Sequence, residues 1–151
     1  MSRLLQSTLH PGTASEWLAD LQADARVAAL SPAHPTFLVR LVRHEGGWLS
    51  RHELIYGLFR TSWTCLAELD EAAGRLVARE PSAHFDAFEQ TLCWSTTEHG
   101  LSIQSDCSWS GCKPGLEDLV LRSLLRFPGW RAAGLAEPTT RRMAVEGRSV
   151  A

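Results

Sequence analysis

The chain has a single lysine among fifteen basic residues, only four cysteines, and a net charge of −2 with its histidines neutral. Near charge balance leaves no global field to draw it to nucleic acid or an acidic membrane, so any such partner must meet a local patch. Cys65, Cys93, Cys107 and Cys112 are too few and too spread out for the disulfide framework of a small secreted domain, and they read as free thiols. No uninterrupted apolar run approaches the roughly 20 residues of a membrane-spanning helix. The opening Met1-Ser2-Arg3-Leu4-Leu5-Gln6 lacks the apolar core of a secretory signal, so the expectation is a cytoplasmic protein with no membrane partner. Catalytic and cofactor motifs of high specificity are missing as well.

What is present is a chain of 151 residues, 44% of them apolar, enough for one domain whose core needs neither metal nor disulfide. Charge is unevenly spread: residues 61–118 carry three bases against ten acids, while residues 119–151 carry six arginines against two glutamates. The apolar residues recur at helical spacing. Thr13 and Glu16 have the spacing of a capping box, followed by Trp17, Leu18, Leu21 and Ala25 on one face of a predicted helix over 14–30. Further helices are predicted from Pro35 to Gly46, from Leu49 or Ser50 to Arg60, from Thr61–Thr64 through Val77, and from Ser82 to Trp94. Residues 95–115 break the pattern and read as an irregular loop with a brief Leu101, Ile103 alternation. Helical spacing returns over 116–127, over 130–136 and, more weakly, over 139–146, ahead of a frayed end. The predicted fold class is all-α: one compact multi-helix domain over 1–151, or a short α-solenoid.

Residues 37–60 carry the most specific pattern. Phe37-Leu38-Leu41-Val42 and Leu54-Ile55-Leu58-Phe59 flank Gly46-Gly47, and Arg51, Leu54, Gly57 and Leu58 follow the turn in a recurring frame. This stretch resembles one HEAT repeat, a paired-helix unit. That resemblance implies a scaffold whose exposed helix face binds a protein or, less often, nucleic acid, and it implies no enzyme.

Three sets of residues carry candidate chemistry. Arg40, Arg43, His44, Arg51 and His52 surround Trp48 near the predicted turn, where charge and stacking together suit an acidic protein surface or a phosphate. Cys93, His99, Cys107 and Cys112 are zinc-type ligands within one irregular segment, although their spacing lacks the tight pairs of most structural zinc sites. Cys107 with His84 or His99 would supply the elements of a thiol nucleophile if the fold brought them together. Among six tryptophans, Trp17 and Trp130 read as core, whereas Trp109 reads either as a contact residue or as a loop anchor.

The leading expectation is therefore a non-enzymatic protein-interaction module, such as an adaptor, inhibitor or immunity-type protein, using Arg40, Arg43, Trp48, Arg51 and Trp109 and needing no cofactor. The alternatives are a zinc-supported binding or catalytic domain on Cys93, His99, Cys107 and Cys112, and a helical nucleic-acid binder using Arg40, Arg43 and Arg51 with Arg141 and Arg142.

Overall fold

The computed structural model describes residues 1–23, 36–56, 58–113 and 139–147. Strand β1 (Ser2–His10) is followed by helix α1 (Ala14–Gln22). The chain then forms β2 (Thr36–His44), β3 (Gly47–Tyr56), β4 (Phe59–Asp70), β5 (Arg75–Arg79), β6 (Ala87–Thr97), β7 (Gly100–Ser110) and β8 (Thr139–Gly147). All eight strands join one sheet in the order β2-β3-β4-β5-β6-β7-β1-β8, and every pairing assigned in it is antiparallel. Strands β2 to β7 form a meander of hairpins. β1, although first in the chain, lies beside β7, and β2 stands at the far end of the strand order.

The all-α expectation is overturned, and with it the helical bundle and the HEAT-like repeat. The capping box holds: Glu16 N donates to Thr13 Oγ1 at 3.2 Å while the Glu16 carboxylate accepts from the Thr13 backbone, and α1 starts there. The four helices predicted over residues 35–94 are instead strands β2 to β6, the loop predicted over 95–115 contains the end of β6 and all of β7, and the helix over 139–146 is β8. The helices predicted over 116–127 and 130–136 lie outside the described residues.

The HEAT-like frame fails for a physical reason in its turn. His44 pairs directly with Gly47, leaving a two-residue loop in which Glu45 (φ 47°) and Gly46 (φ 78°) both have positive φ. That is the type I′ geometry whose twist matches two antiparallel strands. Arg51 is exposed, Leu54 is buried and Leu58 stands fully in solvent at the next turn, so these residues do not share a helix face.

Period-two burial fixes the two faces of the sheet. On β1 the even positions Leu4, Gln6, Thr8 and His10 are buried, and on β7 the odd positions Leu101, Ile103, Ser105, Cys107 and Trp109 are buried opposite them. α1 covers this inner face with Trp17, Leu18 and Leu21, and the Trp17 ring meets Trp94 of β6 edge-on at 5.1 Å. The outer face is largely polar. There Arg3 grips Asp106 through two hydrogen bonds of 2.9 and 2.8 Å.

Candidate binding site

The inner face has three zones, set by which side chains the register places side by side. At one end, Trp63 stacks on His52 (5.5 Å, 2° between planes) and meets Phe85 and Phe88 edge-on at 4.9 and 5.2 Å. Trp109 lies beside Phe88 at the same end. At the other end, Trp94 packs on Trp17, and Trp48 and Leu69 adjoin the core. Between them the side chains are small or polar: Ser50 and Cys65 face each other across β3 and β4, Ala67 pairs with Ala78, and Ala78 with Gln90. Gln90 then pairs with Cys107, and Ser105 with Gln6.

A hydrogen-bonded chain runs through this middle zone. His52 Nε2 lies 2.8 Å from Gln90 Oε1, and Gln90 Nε2 donates to Ser105 Oγ at 3.1 Å. Because the Gln90 amide nitrogen is committed to Ser105, its oxygen must accept, so His52 carries its proton on Nε2. β3 and β6 are separated in the sheet by β4 and β5, so this bond requires the sheet to curl until His52 reaches across the inner face. All three residues are buried.

Among the described side chains the middle zone is electrostatically neutral. Burial lowers the pKa of His52 to about 4, against the opposing effects of its hydrogen bonds to Gln90 and to the Ser50 backbone. Burial also pushes the Cys65 thiol up to about 12 and the Cys107 thiol well above its usual range, the latter with smaller contributions from Cys65 and Asp106. A thiol so held is protonated, which is opposite to what a nucleophile or thiolate ligand needs. Arg43, exposed at the rim, is the one charged side chain on this face among the residues whose side chains are described.

On the inner face Ser50 Oγ and His10 Nε2 are buried without a hydrogen-bond partner. His10 Nδ1 accepts from Gly12 N at 3.0 Å, so its proton is on Nε2. Ser50 Oγ is wholly inaccessible to solvent and sits in the middle zone itself.

The sequence-derived candidates scatter over this frame. Arg43 lies over the Trp48 ring at 4.3 Å, close to the β2–β3 turn, and the pair keeps the predicted proximity of charge and aromatic surface. Arg40 and Arg51 face each other in register on the opposite side of the sheet. Trp109 is completely buried. Of the zinc-type residues, Cys93 is exposed on the outer face, Cys107 is buried on the inner face, His99 is in the β6–β7 turn and Cys112 follows β7. Cys107 lies seven residues along β7 from Gly100, roughly 24 Å at about 3.4 Å per residue, so His99 and Cys107 do not meet. Among the described residues no group of three or more His, Cys, Asp or Glu is placed to hold a metal ion. His84 engages Thr61, its Nε2 3.1 Å from the hydroxyl. Arg141 and Arg142 lie on β8, in register with Ser7 and Gln6. Sequence reasoning missed Ser50, Gln90 and Ser105 entirely, and the signal that could have found them is period-two alternation with polar residues on the buried phase.

A curled antiparallel sheet that holds a helix against its inner face is a fold shared with several solved structures. Among solved structures the chain is similar to TTHA0849 from Thermus thermophilus, with 18% identity, a TM-score of 0.51 and coverage of 82% of this chain and 84% of that one. CV1439 from Chromobacterium violaceum gives 13% identity and a TM-score of 0.52 over 91% and 99% of the two chains. The di-domain ARO/CYC protein BexL from the BE-7585A biosynthetic pathway gives 22% identity and a TM-score of 0.51, with this chain spanning 41% of its length. At these identities the likeness is one of fold. No protein-family model and no curated protein matches the sequence. Among the described residues, no helix is long and apolar enough to cross a membrane.

Proposed function

We propose that the protein binds a small, predominantly apolar molecule against the inner face of its sheet. One observation carries this reading: a band of small and hydrogen-bonding side chains, with the His52–Gln90–Ser105 chain at its centre, lies between two aromatic ends of a mostly apolar buried face. Burying polar groups lowers stability unless they are satisfied, and a fold that needed only a core would fill these positions with larger aliphatic side chains. Apolar walls with a few well-placed polar groups are the usual composition of a small-molecule site. BexL, a structure of similar fold, comes from a biosynthetic pathway, which supports a small-molecule reading.

The test is a titration with the neutral apolar dye N-phenyl-1-naphthylamine, followed by its emission. Saturable binding near one dye per chain is expected, and Ala67→Phe, which enlarges a half-buried position of the middle zone, should weaken it at least about tenfold. A linear, unsaturated response would rule the reading out.

A second reading keeps the protein-interaction expectation and rests on Arg43 over Trp48. A guanidinium stacked on a half-buried indole is ordered before a partner arrives, which lowers the entropy lost on docking. Here the chain's own cell extract should yield a partner whose capture is lost on Trp48→Ala. Retention of every captured protein by that variant would remove this surface from consideration.

A further inference from the structure

We infer that the outer face of the sheet, around Arg40, Arg51 and Leu66, docks an amphipathic helix of a partner protein that carries acidic residues beside an apolar stripe. This surface goes beyond both readings above, since it lies on the other side of the sheet from the His52–Gln90–Ser105 chain and from Arg43 and Trp48. Register builds it from two adjacent rows. In one, Val42 of β2, Leu49 of β3 and Leu66 of β4 stand side by side. Val42 and Leu49 are half-buried, while Leu66, on a strand inside the sheet, leaves 51% of its surface in water. In the next row Arg40 and Arg51 are directly opposite one another, with Thr64 following on β4. Like charges directly opposite each other destabilise a strand pair, and exposed leucine adds nothing to a core, so the needs of the fold account for neither row. Glu53, two positions from Arg51 along β3, sets one carboxylate against two guanidiniums and leaves the row cationic.

Spacing selects the partner. Neighbouring strands are about 4.8 Å apart, so each three-strand row is about 10 Å long and its two arginines are about 5 Å apart. A helix laid along the rows rises about 5.4 Å per turn, so carboxylates four residues apart meet both arginines, and apolar residues over two turns cover Val42, Leu49 and Leu66. An extended segment presents residues to one face only every ~6.8 Å and matches this spacing less well. A nucleic-acid backbone would engage the arginines and leave the leucines without apolar contact.

The test uses the full chain and a fluorescein-labelled synthetic helix of about 18 residues, with a leucine stripe flanked by glutamates four apart, followed by anisotropy. A control peptide has lysine in place of every glutamate. Wild type should bind the acidic peptide saturably and the lysine peptide at least about tenfold more weakly. Arg51→Glu should weaken the acidic peptide at least about tenfold and Leu66→Ser at least about fivefold, both with the urea midpoint of wild type, since both side chains are exposed. Trp48→Ala, on the inner face, should bind the peptide as wild type does. Absence of saturable binding to the acidic peptide overturns the proposal, whether or not wild type takes a single-stranded oligonucleotide or phosphatidylglycerol vesicles in its place. Equal affinity for the two peptides overturns it as well, as does wild-type affinity in both Arg51→Glu and Leu66→Ser. A loss confined to Trp48→Ala would place the contact on the inner-face rim and refute the outer surface.

Discussion

Trp63→Ala should destabilise the fold by about 3–5 kcal/mol, the range for deleting a large aromatic from a packed interior. The indole is 2% exposed and joins four rings: it stacks on His52, meets Phe85 and Phe88 edge-on at 4.9 and 5.2 Å, and stands 6.4 Å from His84. These neighbours come from β3, β6 and the segment before β6. That segment is itself tied to β4, since Ser82 N donates to Thr64 O and Thr64 N to Ser82 Oγ. With so many elements fixed around it, the space left by the ring cannot readily collapse, which places the loss in the upper part of the range. Urea unfolding measures it. Trp63→Phe should recover a substantial part, and Trp48→Ala, at a half-buried position, should lose far less. A deficit below about 1 kcal/mol for Trp63→Ala would show that this end of the inner face is not rigidly packed.

The helical reading of residues 35–94 went astray because these strands are built from residues that also favour helices. Residues 65–78, Cys-Leu-Ala-Glu-Leu-Asp-Glu-Ala-Ala-Gly-Arg-Leu-Val-Ala, hold mostly leucine, alanine and glutamate, and intrinsic propensity points to one helix. In the fold they are the end of β4, a turn, and β5. The turn is made by Asp70 Oδ1 accepting from Ala73 N and by Gly74 at φ 66°, where a Cβ would lie 2.5 Å from the Trp94 carbonyl oxygen. Apolar residues on the outer face, such as Leu66 at 51% exposure, blur the alternation that marks a strand.

Other features were legible. The capping box at Thr13 and Glu16 depends on local contacts alone, and it formed where its spacing placed it. Cys93 and Cys107 were legible as free thiols but not as residues on opposite faces, since that depends on a strand register. The His52–Gln90–Ser105 chain joins residues 38 and 15 positions apart, so only the curl of the assembled sheet reveals it.

That chain also makes stability depend on pH. Folded His52 remains neutral down to about pH 4, whereas in the unfolded chain it takes up a proton near 6.5. Between those values the unfolded state binds more protons, so the free energy of unfolding rises with pH. The contribution is fully present above about pH 6.5, declines as the solution is acidified, and is exhausted below about pH 4, where both states are protonated. A shift of this size corresponds to about 3 kcal/mol across the window. Protonated His52 can still donate to Gln90, so the loss comes from placing a charge among Trp63, Phe88 and the inner-face side chains rather than from a broken hydrogen bond. Comparing urea midpoints of wild type and His52→Gln from pH 7 to 4.5 isolates the effect, because every other titrating group is common to both. The wild-type midpoint should fall more steeply and approach that of the variant. Parallel declines would place the acid sensitivity elsewhere in the protein.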